Sequence, residues 1–130
     1  MDIRKTAIIA IIAIVLVAMI GLIYISTNSA NTKININCND TLQNGEYILF
    51  ELKDDYRHPI PNQILDLKIL DDSGWAYKYN VTTDDLGRGY IQLAGFDNGN
   101  YTVHANFNGT LLLKESHENR AFKIDDGYGY

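Results

Sequence analysis

Asp97-Asn98-Gly99-Asn100-Tyr101-Thr102-Val103-His104-Ala105-Asn106-Phe107 is the stretch whose reading decides the fold. Asp-Asn-Gly is turn chemistry, because short polar side chains bond the local backbone and glycine supplies positive φ. From Tyr101 the pattern alternates. Tyr101, Val103, Ala105 and Phe107 share one face, and Thr102, His104 and Asn106 share the other, which predicts a half-buried strand. A tyrosine entering a strand straight after such a turn suits a corner of a β-sandwich. Its hydroxyl is expected to bond back to the turn backbone while its ring packs inward. Where some sandwiches place a disulfide cysteine two residues after this tyrosine, the present chain has Val103, so apolar packing replaces the bridge.

Working outward, the remaining segments read as short strands between turn clusters. Thr32–Asn37 is the first, and residues 45–53 the second, with Ile48, Phe50 and Leu52 inward. Residues 54–62 form a loop whose Pro59 and Pro61 oppose ladder pairing. Residues 63–70 are the third strand, with Leu65, Leu67 and Ile69 inward. Residues 75–82 are the fourth, with the polar alternation of an edge. Residues 89–94 are the fifth and residues 101–107 the sixth. Residues 110–114 and 120–124 together supply the seventh, interrupted by a bulge near 115–119. The fold class expected is all-β: a sandwich of about seven antiparallel strands over residues 32–125, with a frayed tail at 126–130.

The N-terminal part is different. Residues 7–25 are nineteen uncharged positions, which as a helix would span about 28 Å, close to the apolar thickness of a bilayer. Arg4 and Lys5 precede the run and no basic residue follows until Lys33. The positive-inside rule then leaves residues 1–6 in the cytoplasm and the domain outside, on a single-pass cell-membrane protein. The run is longer than the apolar core of a cleaved secretory signal, and Asn28-Ser29-Ala30 is a poor cleavage site. A pilin-like assembly helix is the third reading, and Arg4-Lys5-Thr6 offers it no small residue for processing. Residues 26–31 are a polar linker. With Thr32 it can hold the domain no further than about 23 Å from the membrane.

The net charge is −5, and an acidic surface argues against nucleic-acid binding and opposes flat docking on anionic lipid. Cys38 is the single cysteine, so no internal disulfide forms, and a free thiol is expected.

Several phrases now read together: Lys53-Asp54-Asp55, Pro59-Ile60-Pro61-Asn62-Gln63, Val81-Thr82-Thr83-Asp84-Asp85-Leu86-Gly87, Gly99-Asn100-Tyr101-Thr102-Val103 and Phe107-Asn108-Gly109. As a set, over roughly residues 34–124, they resemble bacterial-type Ig-like domains, as found in adhesin-like surface proteins of methanogenic archaea. The resemblance implies an Ig-like β-sandwich with a structural or adhesive role at the cell surface, contacting a surface protein or a glycan. It implies no catalytic residues. One module is read here where family members often have many in tandem, and no longer terminal attachment region is expected.

The side chains point the same way. His58, His104 and His117 have no ligand spacing, and no serine or cysteine is framed as a nucleophile. The chain is read as a non-enzyme with no cofactor, and no residue is assigned to a metal. Paired aspartates recur at Asp54-Asp55, Asp71-Asp72, Asp84-Asp85 and Asp125-Asp126. They read as turn formers, with a calcium- or ligand-binding module as the alternative. If all neighbouring strands run antiparallel, Asp54-Asp55 and Asp84-Asp85 meet at the end where the anchor arrives. Asp40, Asp71, Asp72, Trp75, Phe96 and Asp97 then gather at the far end. Trp75 and Phe96, set among Asp71, Asp72 and Asp97, form the candidate binding tip; the alternative is that both rings cover the core. Asn39, Asn80, Asn100 and Asn108 each begin a glycosylation sequon.

Overall fold

The computed structural model describes residues 9–19 and 29–127. Residues 9–19 are helical (α1). Of the expected membrane span, residues 7–8 and 20–25 lie outside the described residues, as do the cytoplasmic segment 1–6, residues 26–28 of the linker and residues 128–130. No helix among the described residues is long and apolar enough to cross a membrane.

The remainder is built from β1 (Thr32–Asn37), β2 (Thr41–Leu42), β3 (Tyr47–Asp54), β4 (Ile64–Asp71), β5 (Ala76–Thr82), β6 (Arg88–Gln92), β7 (Gly99–Phe107) and β8 (Ser116–Ile124). They form a three-stranded sheet, β1-β3-β6, and a five-stranded sheet, β2-β8-β7-β4-β5. The period-two pattern drives this arrangement. Each strand offers one apolar row, and two sheets facing each other are the way to bury all those rows together. On β7 the row is Tyr101, Val103, Ala105 and Phe107, all buried. Leu65, Leu67 and Ile69 lie beside it on the neighbouring β4 of the same sheet, and Ile34, Ile48, Phe50 and Leu52 face both rows from the smaller sheet. β5 is an edge strand, as its polar alternation predicts.

Three expectations need correction. Among the described residues the sheets hold eight strands, and not every pair is antiparallel: β2 runs parallel to β8, with Thr41 opposite Lys123 and Leu42 opposite Ile124. Two residues carry no readable period, and Leu42 is held by burial of one side chain. Residues 110–114 are not part of the last strand. β8 starts at Ser116 and pairs with β7 in unbroken register from Phe107↔Ser116 to Gly99↔Ile124, with no bulge. The apolar run Leu111-Leu112-Leu113 imitates a strand, but only Leu113 packs on the core. The start of the tail is also tied down. Asp125 N–H donates to the Leu42 carbonyl at 3.0 Å, and Asp126 bonds Asn44.

The strands share two ends. β1, β4, β6 and β8 begin, and β3, β5 and β7 finish, at the end where the chain arrives from residue 29, here called the base. Ala30 N–H donates to Leu112 O at 2.9 Å, and Lys114 N–H to Ala30 O at 2.8 Å. Asn31 Nδ2 donates to Asp55 Oδ2 at 2.8 Å. Buried Thr83 joins two base loops: its hydroxyl donates to Ile60 O at 2.8 Å and accepts from Gln63 N–H at 3.0 Å.

Candidate functional site

The far end carries the corner expected from the sequence. The Tyr101 hydroxyl donates to the Asp97 carbonyl at 2.6 Å, and its ring stacks on Phe122 with centroids 5.7 Å apart. Burial pushes the phenol pKa up, and nearby Tyr77 and Asp97 add to the effect. Val103 is fully buried two residues on, where apolar packing stands in place of a bridge. Tyr101→Phe keeps the ring but leaves the Asp97 carbonyl without its donor. It is expected to cost about 1–3 kcal/mol, read as a lower urea midpoint for the sandwich transition.

Three of the four aspartate pairs resolve into one repeated device. Asp54 Oδ1 accepts the N–H groups of Tyr56 and His58, each at 2.9 Å. Asp71 Oδ1 accepts those of Ser73 and Trp75, each at 2.9 Å. Asp84 Oδ1 accepts those of Leu86 and Arg88, again at 2.9 Å. In each turn the fourth residue has positive φ: Arg57 at 64°, Gly74 at 87° and Gly87 at 71°. The first aspartate of each of these pairs therefore locks a turn, and the second is left at the surface. Among the described residues, no three His, Cys, Asp or Glu side chains are grouped to hold a metal ion.

A hydrogen bond from the Ser73 hydroxyl, helped by backbone donors, holds the Asp71 carboxyl below the ordinary aspartate range. A depressed folded-state pKa contributes stability above the unfolded value, and that stability is lost as pH falls through the folded value. Asp71→Asn preserves the Oδ1 acceptor and removes the titration. The variant is expected to lose less stability than the native protein when pH falls from about 4 toward 2, as measured by urea midpoints across that range.

The far end gathers the residues that strand parity places there, and it divides the proposed tip. Asp71, Asp72, Asp97 and Asn100 line a concavity of about 250 Å³. It adjoins an open groove of about 700 Å³ over β4, β7 and β8, with Asp40 and Lys123 on its wall. Trp75 is 64% exposed, next to Gly74 of this groove. Phe96 is 4% exposed. Its ring meets Tyr77 at 4.9 Å and Tyr101 edge-on at 5.4 Å. Phe96 is thus a plug of the sandwich end, and Trp75 is the one ring of the expected pair open to a partner. Asp71 is engaged in its turn, which leaves Asp72 and Asp97 as exposed carboxylates.

Two positioning residues escaped the sequence reading. Asn44 clamps the Phe96 loop: its Nδ2 donates to Phe96 O at 2.7 Å, and its Oδ1 accepts Phe96 N–H at 3.0 Å. Nothing in the sequence marks Asn44 apart from any other turn asparagine. Arg120 occupies an inward-facing position of β8, opposite Val103. Its guanidinium reaches Cys38 O at 3.0 Å and Asp40 Oδ1 at 2.8 Å, fastening the β1–β2 crossing. Cys38 is a free, half-buried thiol, and burial raises its pKa. His104 Nδ1 lies 2.6 Å from Asn119 Oδ1 on the outer face of the larger sheet. His58 is at the base, beside Asp54. The four sequon asparagines, Asn39, Asn80, Asn100 and Asn108, are all exposed. The Asn108 amide already donates to Asp66 Oδ2 at 2.9 Å.

Two packed sheets joined through a tyrosine corner define the class: a β-sandwich domain. A solved structure of a tetra-tandem repeat in the extending region of a large adhesion protein superposes with a TM-score of 0.54 at 12% identity. The match covers 75% of this chain and 25% of that one. The chain therefore spans about a quarter of that structure's length. At that identity the likeness concerns the fold alone. No protein-family model matches the chain, and no curated protein matches it either.

Proposed function

We propose that this chain is a membrane-anchored cell-surface protein that displays one Ig-like β-sandwich in an adhesive role, binding a surface protein or glycan at its membrane-distal end. The observation that carries this reading is Trp75. It is a large exposed ring on a turn that Asp71 locks, next in the chain to Gly74 of an open groove, and at the opposite end from where the chain arrives. A rigid aromatic anchor beside unengaged polar groups is the usual energetic centre of a protein contact. Loops carried on a rigid sandwich are where such residues are commonly placed. The uncharged run at residues 7–25 supports the anchor, and Arg4-Lys5 supports the orientation. The fold it shares with an adhesion-protein repeat supports the adhesive class. The role is binding and not catalysis.

The test is capture of cell-envelope glycan and protein fractions by the detergent-solubilised full chain, compared with its Trp75→Ala variant. The reading expects capture by the native chain and its loss in the variant, with the melting temperature unchanged. Equal capture by a folded variant removes the distal end as the contact.

A further inference from the structure

The base of the sandwich carries exposed apolar side chains on three separate loops. Leu111 and Leu112 are 69% and 62% exposed, Leu86 is 58% exposed and Tyr56 is 82% exposed. Ile64, at the base end of β4, is also exposed. At the far end, the turn tips expose Trp75. The three base loops are contiguous. Asn31 bonds Asp55 of the Tyr56 loop, and Ala30 beside it pairs with Leu112 and Lys114. Leu52 N–H reaches Gly87 O at 2.8 Å, and Ile60 N–H reaches Leu52 O at 3.0 Å, which joins the Tyr56 loop to the Leu86 loop.

The two leucines are held outward by a built turn. Thr110 N–H donates to Leu113 O at 2.8 Å, and the Thr110 hydroxyl accepts from Leu112 and Leu113 N–H at 3.3 and 3.2 Å. Leu113 packs on the core while its two neighbours point away. Gly109 makes this turn possible: a Cβ there would sit 2.9 Å from both Glu115 N and Leu113 O.

What covers these side chains follows from the length of the preceding chain. Ala30 is fixed against Leu112, and residues 26–29 alone separate it from the apolar run that ends at residue 25. Four residues reach at most ~14 Å. A domain tethered that closely must hold its base at the membrane–water boundary. We propose that the base is a membrane-resting face, with Leu111, Leu112, Leu86 and Tyr56 seated in the interfacial layer of the bilayer that the chain's own anchor enters. This deepens the surface-display reading and rests on it. Charges at the base are mixed, with Arg57 and Lys114 beside Asp55, Asp85 and Glu115. The ligand is therefore an uncharged or zwitterionic lipid surface rather than an anionic one. The seating also fixes the sandwich upright, with Trp75 turned to the outside.

Trp75 is the single tryptophan, so the native chain supplies its own control. The full chain is placed in phosphatidylcholine liposomes, either native or as a double variant carrying Leu112→Trp and Trp75→Phe. Emission is compared with and without lipids brominated at shallow acyl positions, and liposome flotation is measured alongside. The proposal expects flotation of both proteins. It expects the double variant to lose roughly half or more of its indole emission, as befits burial ~5–10 Å into the interface, with no loss for Trp75 in the native chain. Flotation with unquenched emission from the double variant overturns the membrane-resting face while leaving the anchor intact. Blue-shifted but unquenched emission also overturns it, by showing protein rather than lipid against the loop. Failure of both proteins to float overturns the anchor itself, and the inference falls with it.

Discussion

Phe96→Ala is expected to destabilise the sandwich by about 3–5 kcal/mol, the range for truncating a buried aromatic ring. Two ring contacts carry the effect. The ring sits 4.9 Å from Tyr77 and 5.4 Å from Tyr101, so its removal opens a cavity between two other aromatics. The same cavity frees the Tyr101 ring, whose hydroxyl holds the Asp97 turn. The Asn44 clamp survives in principle, because it uses the Phe96 backbone, but without the ring the loop has no core to be clamped against. Trp75→Ala is the matched comparison. That ring is largely exposed, and its removal is expected to change stability by no more than about 0.5 kcal/mol. Urea denaturation of the two variants separates them. A Phe96→Ala midpoint equal to that of the native chain means that the ring does not plug the sandwich.

Gly87→Ala is expected to cost more than about 3 kcal/mol. Its φ of +71° already disfavours any side chain, worth ~1–2 kcal/mol. The added Cβ would also lie 2.6 Å from Leu52 O and 3.0 Å from both Ile60 N and Pro59 Cβ. Two of those three atoms are backbone, and both belong to the Leu52 O to Ile60 N–H bond that closes the base. Relief requires moving β3 away from the turn, which breaks the Leu52 N–H to Gly87 O bond as well. Gly74 holds the equivalent place in the Asp71 turn with φ +87° and nothing within 4 Å. Gly74→Ala should therefore show the conformational penalty alone, about 1–2 kcal/mol. The difference between the two midpoints measures the close approach at the base. Equal losses would show that the clash is absorbed.

Much of this architecture is written locally. β1 coincides with the expected Thr32–Asn37, and the inward row of β7 is the one its alternation predicts, because period-two burial is a property of the strand itself. Strand parity then sorts the loops into two ends correctly, since each antiparallel step reverses direction. Direction is all that parity supplies. It brings Phe96 and Trp75 to one end but cannot say which ring turns inward. That is decided by Asn44, 52 positions away from Phe96. Leu111-Leu112-Leu113 fails for the opposite reason: its composition is that of a strand, and a single hydroxyl, Thr110, bends it into a tip. The aspartate pairs are visible as turns, yet that only the first of each pair locks the turn at Asp54, Asp71 and Asp84 follows from hydrogen bonds that the sequence does not display.

The uncharged run of residues 7–25 carries the largest consequence for the proposed function, because the proposed display of the sandwich rests on it. The most direct measurement is made on cells producing the full chain. Membranes are washed in alkaline carbonate, and intact cells are exposed to protease from outside. The account predicts that the chain stays with the washed membranes and that the sandwich is digested from outside while Arg4 and Lys5 remain protected. Recovery of the sandwich in the wash, or its protection in intact cells, would contradict it.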